Sequence, residues 1–192
     1  MFASEITKEE LSTLSLAQFD GKIHVIDRYG VAEVIAEQLK SHPVLGFDTE
    51  TRPSFAKGRK NRVALLQLAT ASEAFLFRLC KIDIPKNLLA LLTDPKILKI
   101  GAAIKNDLDT LKRSAKLKPN GFIDLQDMVQ KYEIKSFALS KMAGIVLGVR
   151  ISKSQQLSNW ENKTLTPAQQ RYAATDAWMC YLIYEKLMRM ER

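Results

Sequence analysis

The first residues that could do chemistry are two carboxylates at the end of an apolar run. Asp48 and Glu50 follow the apolar residues 44–47 and are separated by one residue. In a β-strand, residues two apart point to the same face and lie roughly 7 Å apart along the backbone. The pair can therefore converge on one cation, at a strand end where α/β sheets usually gather their binding sites. A solvated acidic pair is the alternative.

A third acidic residue, Asp176, lies near the C-terminal end of the chain. Tyr172 and Asp176 are four residues apart, so on a helix they share one face. Apolar residues continue approximately the same face, namely Met179, Cys180, Ile183 and Leu187. A carboxylate on an inward-looking face is costly unless it is paired or bound to a metal. The alternative is an aspartate satisfied by a basic side chain or a backbone amide.

Asp107 adds a further acid, just beyond an apolar segment and near the start of a predicted helix. Its ordinary role there is capping or a favourable interaction with the helix dipole. Together, however, the acids form an oxygen-rich set suited to hard divalent cations such as Mg²⁺ or Mn²⁺: Asp48, Glu50, Asp107 and Asp176. Two such ions, about 3.5–4 Å apart, could clamp a scissile phosphate, one activating water and the other stabilising the departing oxygen.

Hydrophobic periodicity and turn signals predict the elements that position these residues. Strands are predicted at 44–47, opening into the Asp48–Glu50 tip, and at 63–69, 74–79, 97–102 and 122–125. Helices are predicted over 31–40, 86–92, 107–114 and 167–190. Thr166 and Gln169 form a capping box at the start of the last helix, and Pro167 suits its first position. A hairpin connects the second and third strands, and the order of elements indicates a mixed-sheet α/β domain.

Composition limits the class of protein. The chain has 192 residues, of which 46% are hydrophobic and 26% are charged. These values are typical of a globular domain, so we expect one domain over 22–192 behind a peripheral N-terminal extension over 1–21. The two cysteines and two histidines leave no visible spacing for a closed zinc site within the chain. His24 alternates with apolar neighbours and is interpreted as a strand histidine.

Charge and hydropathy indicate the partner and the compartment. The net charge of +8 and the pI near 9.5 favour a polyanionic partner, because neutralising phosphates releases condensed counterions. No apolar run approaches the roughly 20 residues that a membrane helix needs. The first ten residues resemble neither a secretory signal nor a transit peptide. A cytoplasmic location is the default expectation.

Three segments of the chain resemble the exonuclease motifs of the DEDD superfamily. They are Val-Leu-Gly-Phe-Asp-Thr-Glu at 44–50, Lys-Ile-Gly-Ala-Ala-Ile-Lys-Asn-Asp at 99–107, and the segment 157–177 that contains Trp160, Tyr172 and Asp176. The last segment is especially similar to the exonuclease domain of the Werner syndrome protein and, more distantly, to ribonuclease D. The resemblance covers about residue 25 to the end of the chain.

The resemblance implies a ribonuclease H-like fold with a five-stranded mixed sheet flanked by helices. It also implies a metal-dependent 3′-5′ exonuclease that releases nucleoside 5′-monophosphates by a two-metal-ion mechanism with Mg²⁺ or Mn²⁺. Asp48 would contact both ions, Glu50 and Asp176 would hold the ion that activates water, and Asp107 would hold the other. Tyr172 places the chain in the tyrosine subclass, where its hydroxyl orients the attacking water.

One position departs from the family pattern. Many members place an asparagine four residues before the acid of the second motif, where this chain has Ala103. The Werner-type branch also lacks that asparagine. The departure therefore bears on a polar contact at this position more than on activity.

Four residues outside the acidic set are candidates for substrate contact. Arg59 and Lys60 lie in the basic segment 57–62, which leaves the strand carrying Asp48 and could track phosphates; a solvated hairpin tip is the alternative. Thr49 lies between the two strand acids and by resemblance could approach the terminal nucleotide, or it is only a strand residue. Trp160 could stack on a base, or it could be buried against the final helix.

Two rival functions use the same features. A catalytically silent nucleic-acid-binding module would keep the fold and the basic surface, although all five active-site positions are filled here. An endonuclease or another nucleotidyl-transfer enzyme on this fold would release oligomers instead of mononucleotides. The sequence leaves open the choice between DNA and RNA, because a phosphate clamp does not read the sugar.

Overall fold

The computed structural model describes residues 2–53, 61–115 and 117–190. Within these ranges the strands are β1 (Ser15–Leu16), β2 (Lys22–Ile26), β3 (Val44–Thr51), β4 (Val63–Ala69), β5 (Glu73–Phe77), β6 (Leu98–Gly101), β7 (Phe122–Asp124) and β8 (Val149–Arg150). The helices of the same ranges are α1 (Lys8–Thr13), α2 (Tyr29–Leu39), α3 (Leu79–Ile82), α4 (Lys86–Thr93), α5 (Lys105–Ala115), α6 (Leu125–Gln130), α7 (Leu139–Leu147) and α8 (Pro167–Met190). The predicted strands and helices are therefore present, with their ends shifted by a few residues at most.

A mixed sheet lies at the centre of the described residues, in the strand order β2-β5-β4-β3-β6-β7. The strands β3, β4 and β5 form an antiparallel meander, which confirms the predicted hairpin. The strands β6 and β7 extend the sheet in parallel beyond β3, and β2 pairs in parallel with β5. A second, two-stranded parallel sheet joins β1 to β8. The mixed-sheet α/β class is thus confirmed.

The predicted strand count is wrong by one, because β2 makes the central sheet six-stranded. This strand lies at the edge, and Ile26 is its only buried residue. His24 stacks on Phe75 of the neighbouring strand, with ring centroids 4.8 Å apart. An edge strand is half solvated, so its apolar pattern is weaker than that of the central strands.

Strand alternation divides the sheet into two faces. On β3, Leu45 and Phe47 point into an apolar core that also contains buried residues of α2 and α4. Gly46, Asp48 and Glu50 alternate with them and therefore point to the opposite face, which α8 covers. A Cβ atom on Gly46 would lie 1.9 Å from the carbonyl oxygen of Ala177, so glycine is required for α8 to approach the sheet.

The start of α8 tests a local prediction. Thr166 Oγ1 accepts a hydrogen bond from Gln169 N at 3.2 Å, and Gln169 Oε1 accepts one from Thr166 N at 3.0 Å. This reciprocal pair confirms the capping box of α8.

In α2 the buried side is formed by Ala32, Ala36 and Leu39, whereas the larger Val34 is 58% exposed. Small residues on that side allow α2 to pack closely on α4.

The N-terminal segment packs against the C-terminal half of the chain. Side chains from around α1 approach Gly144 of α7, where an added Cβ would lie 2.7 Å from Leu11 Cδ1. Phe19 is buried, and its backbone N–H donates to Thr175 Oγ1 of α8 at 3.0 Å. The boundary between an extension and the catalytic domain at residues 21 and 22 stays a prediction. No helix of the described residues is long and apolar enough to cross a membrane.

Candidate active site

Three of the four predicted acids meet at the end of β3. Carboxylate oxygens of Asp48, Glu50 and Asp176 all lie within 4.8 Å of one another. Asp48 and Glu50 come from the same face of β3, and Asp176 comes from α8, which packs on that face. Residues 126 positions apart in the chain are thereby brought to one point, as the difference between 176 and 50 shows. Three converging carboxylates are a suitable donor set for a hard divalent cation.

Asp107 lies beside this cluster but outside it. It is the third residue of α5, and its carboxylate accepts a hydrogen bond from the hydroxyl of Thr49. Its charge is close enough to raise the pKa of Asp48 and of Glu50. The structure therefore brings three of the acids together and holds the fourth next to them through Thr49.

Asp124 fixes the turn that leads from β6 into α5, and sequence reasoning missed it. Its two carboxylate oxygens accept hydrogen bonds from Ala103 N and Ile104 N, each at 3.0 Å. Ala103 has a φ of 57°, which L-residues rarely adopt. The two hydrogen bonds hold this turn and so place Asp107 at the helix start. The available signal was an acid at the end of a predicted strand, the same signal that identified Asp48.

Burial raises the pKa of each clustered acid, and repulsion by neighbouring acids adds to it for Asp48 and Glu50. For Asp48, burial acts first and the charges of Asp176 and Asp107 add to it. Burial and the neighbouring acids raise the pKa of Glu50 to about 10. Burial raises the pKa of Asp176 to about 7, although the Tyr172 hydroxyl and Lys153 act in the opposite direction. At neutral pH the cluster therefore needs protons or a bound cation.

No basic side chain neutralises this cluster within the described ranges. The ion pairs of those ranges involve other acids, and Lys153, which influences Asp176, is not within ion-pair distance of it. A buried acid satisfied by lysine, arginine or a backbone amide was the alternative interpretation of Asp176. The described residues do not support that alternative, and metal binding remains the interpretation that explains the cluster.

Tyr172 lies one helical turn before Asp176 and lines the same cleft. Burial and the charges of Asp176 and Glu50 raise the pKa of its hydroxyl, so the group stays protonated at neutral pH. Its ring lies 6.0 Å from that of Trp160, between centroids. The hydroxyl can therefore donate a hydrogen bond or accept one at the edge of the acidic cluster.

A cleft of about 320 Å³ opens over the acids. Its wall opposite β3 includes the start of α7, where Phe137 is 39% exposed and Ser140 is buried with no hydrogen-bond partner for its hydroxyl among the described residues. Lys153 and Gln156 line it from the loop after β8. Sequence reasoning missed these wall residues, because nothing in the local pattern of α7 or of that loop links them to β3.

The predicted substrate residues have different outcomes. Thr49 lines the cleft but is only 8% exposed, and its hydroxyl is engaged by Asp107. Trp160 exposes 0% of its surface, so it has no ring face open to a base. Of the two alternatives for this residue, burial is therefore correct. Its large side chain fills the space between β4 and α8 in one of the apolar clusters. Arg59 and Lys60 lie outside the described residues, and their role stays a prediction.

A second and larger cleft, of about 810 Å³, lies elsewhere on the molecule. It is lined by Arg62, Cys80, Lys81 and Asp83 together with apolar residues that belong to the core of the opposite sheet face. Among the described residues, the only cluster of acids, cysteines or histidines with metal-binding geometry is the one formed by Asp48, Glu50 and Asp176. Chemistry, not cavity size, therefore identifies the candidate active site.

Both the sequence and the fold are similar to known nucleases. Residues 23–191 match a family model described as 3′-5′ exonuclease. The mouse protein named bifunctional 3′-5′ exonuclease/ATP-dependent helicase WRN is 34% identical over 164 residues, which cover 82% of this chain and 12% of that protein. The Drosophila melanogaster protein named exonuclease 3′-5′ domain-containing protein 2 is 37% identical over 163 residues, which cover 81% of this chain and 28% of that protein.

A solved structure agrees with the sequence relatives. Escherichia coli RNase D, an exoribonuclease involved in structured RNA processing, superposes with a TM-score of 0.80 at 26% identity, over 88% of this chain and 44% of that chain. This chain thus spans only part of each of these proteins, from 12% to 44% of their lengths. The family match nevertheless extends over 23–191 and includes every residue of the acidic cluster. The chain belongs to the DEDD family of 3′-5′ exonucleases.

Proposed function

We propose that this chain hydrolyses nucleic acid from the 3′ end and releases nucleoside 5′-monophosphates, one at a time. The observation that carries the proposal is the convergence of Asp48, Glu50 and Asp176 within 4.8 Å, in a chain that belongs to a 3′-5′ exonuclease family. Phosphodiester hydrolysis requires negative charge to be stabilised on the reacting phosphate. Acids that lack a basic partner among the described residues can supply that stabilisation through a cation.

The donor set suits Mg²⁺ or Mn²⁺, which prefer oxygen ligands. Asp48, Glu50 and Asp176 would hold one ion, and Asp48 together with Asp107 would hold a second. When bound, such ions stabilise negative charge on the phosphate and activate the attacking water. The raised pKa of Asp48, Glu50 and Asp176 fits this assignment, because a bound cation would stabilise the ionised acids against burial and against their repulsion.

The remaining groups of the cleft would bind and orient the substrate. The Tyr172 hydroxyl, protonated at neutral pH, would fix the attacking water by a hydrogen bond at the edge of the acids. Thr49 would hold Asp107 in place through the hydroxyl that donates to it. Phe137 offers an exposed ring on the wall of the cleft, against which a base or sugar can pack.

Removal of Asp48 tests the proposal. With Mg²⁺ or Mn²⁺, the wild type should shorten a 5′-labelled oligonucleotide in single-nucleotide steps. The Asp48→Ala variant should do so at least about 100-fold more slowly while its circular dichroism stays native. Asp109→Ala is the matched control, because Asp109 lies on α5 and its ion pair is with Lys112 at 3.4 Å. The control should retain activity within about twofold, since exposed pairs contribute little.

The products distinguish the rival functions. Mononucleotides released from the 3′ end support the proposal, whereas oligomers would indicate internal cleavage. Binding of oligonucleotide without release of any nucleotide by pure wild-type protein would indicate a silent binding module. Undiminished cleavage by Asp48→Ala would refute the assignment of the acidic cluster. Matched DNA and RNA substrates with blunt, recessed and overhanging ends would then define the substrate class.

A further inference from the structure

Gln67 is a buried amide whose side chain has no hydrogen-bond partner in the described part of the chain. It lies in the middle of β4 with 0% of its surface exposed, and both its Nε2 and its Oε1 lack partners among the residues that the structure describes. It is the only polar side chain in a strand that otherwise consists of valine, alanine and leucine. Buried polar groups in native proteins are nearly always satisfied, so an unsatisfied one requires an explanation in a water, an ion or a function.

The register of the sheet places Gln67 directly across from Asp48. The antiparallel ladder pairs these two residues, as it pairs Leu65 with Glu50 and Ala69 with Gly46. Directly opposed residues point to the same face, with Cβ atoms about 4.5–5.5 Å apart. The amide therefore lies on the face that carries the acids, beside the residue at their centre.

The neighbour of Gln67 on the other side of β4 has no hydrogen-bonding side chain. Across the strand on its other side lies Leu76 of β5. In the apolar clusters on that face, the buried residues of α8 are Ala173, Ala174 and Ala177, whose side chains cannot hydrogen-bond, whereas Tyr172 and Trp178 are only partly buried there. Asp48 is therefore the polar side chain that the register places next to the amide.

We propose that Gln67 is a positioning residue for Asp48. Its amide N–H donates to the Asp48 carboxylate, directly or through one buried water, when that carboxylate holds a divalent cation. The inference rests on the proposed function, because it assumes that Asp48 is a metal ligand. Carboxylate ligands are generally oriented by such outer hydrogen bonds.

A neutral amide suits this position better than a basic side chain would. A lysine or arginine opposite Asp48 would form an ion pair with it and compete with the cation. An amide supplies a donor without neutralising the carboxylate, so the negative charge stays available to the metal.

Gln67→Met tests the proposal, because methionine has nearly the same length and no donor. Binding of Mn²⁺ is measured by the electron paramagnetic resonance of the free ion, and the Tm is measured in EDTA. We expect the Kd for Mn²⁺ to rise about 10- to 100-fold. In EDTA the Tm should stay equal or rise, since two unsatisfied groups are removed. The Mn²⁺ concentration for half-maximal cleavage should rise with the Kd, while the KM for oligonucleotide stays unchanged.

Leu76→Met is the matched control, because it alters the packing on the other side of Gln67 without a change in polarity. It should bind Mn²⁺ as the wild type does. Gln67→Leu provides a second apolar variant and should weaken Mn²⁺ binding in the same way. Wild-type Mn²⁺ affinity in a folded Gln67 variant would overturn the proposal, and so would loss of folding in both variants, which would assign the amide to packing. Failure of the wild type to bind Mn²⁺ would instead contradict the proposed function.

Discussion

Both faces of the central sheet carry charged side chains, but the groups that surround these charges differ. On the face that packs on α2 and α4, the ammonium of Lys99 donates to three backbone carbonyls at the end of α4 and beyond, those of Leu91, Asp94 and Ile97. On the face that packs on α8, Asp48, Glu50 and Asp176 repel one another and form no ion pair within the described residues. On the α2/α4 face, backbone carbonyls satisfy the ammonium of Lys99. On the α8 face, the acids have no basic partner among the described residues and are available to a ligand.

This difference indicates that the α2/α4 face mainly stabilises the fold, whereas the α8 face carries the candidate active site. The α2/α4 face contains the largest cluster of buried aliphatic and aromatic residues, which supplies hydrophobic stabilisation. The α8 face contains an amide without a hydrogen-bond partner among the described residues and acids of raised pKa, and both features cost stability. Local costs of this kind concentrate at functional sites and are tolerated when the rest of the fold is stable.

A truncation on the apolar face should have the largest effect on folding. Phe47→Ala removes a ring that is fully buried and packs edge-to-face on Phe122, with centroids 5.0 Å apart. We expect the free energy of unfolding to fall by about 3–5 kcal/mol, measured by urea denaturation in EDTA. Phe47→Leu should cost less and should keep the Mn²⁺ affinity of the wild type. Weakened Mn²⁺ binding by folded Phe47→Leu would contradict the separation of the two faces.

A substitution on the acidic face should act in the opposite direction. Asp176 has a folded-state pKa raised to about 7 from its ordinary value of 3.8. Between these values the folded state binds a proton that the unfolded chain has released, so in EDTA stability falls as the pH rises from about 4 to about 7. Asp176→Asn removes this titration and some of the repulsion. We expect the variant to be more stable than the wild type above pH 7, by at most about 4 kcal/mol.

The measurement is urea denaturation of both proteins in EDTA at several pH values between 4 and 8. The advantage of Asp176→Asn should be small near pH 4 and should grow toward pH 7, because the wild-type acid is then forced to ionise. Saturating Mn²⁺ should stabilise the wild type far more than the variant. A difference in stability that does not vary with pH would show that burial does not raise the pKa of Asp176 in the folded protein.

The central strands and the last helix were predictable from local patterns. The strand β4 was predicted with its observed ends, because a continuous apolar run bounded by polar turns is buried on both faces. The capping residues of α8 were predicted because Thr166 and Gln169 each hydrogen-bond to the other's backbone, three residues away. The common face of Asp48 and Glu50 follows from strand geometry alone.

Other features depend on contacts between distant parts of the chain, and no local pattern encodes them. The strand β2 joins the sheet at a half-solvated edge, where the apolar signal is weak. Trp160 lies in a loop without periodicity, so its burial is decided by the strands and helix around it. Gln67 looks like a single interruption of an apolar strand, and only the register with β3 shows that it faces Asp48.

Removal of the Lys99 charge from the α2/α4 face should give the smallest of the three changes in stability. Burial lowers the pKa of Lys99 to about 8, so at pH 7 the ammonium still holds the three carbonyls, and it also lies 5.1 Å from the centre of the Phe122 ring. Lys99→Met keeps the length of the side chain but leaves these carbonyls without their donor. We expect a loss of about 1–3 kcal/mol in urea denaturation and no change in Mn²⁺ affinity. If the variant were as stable as the wild type, solvent would be satisfying the carbonyls, and the contrast between the two faces would lie in the acids alone.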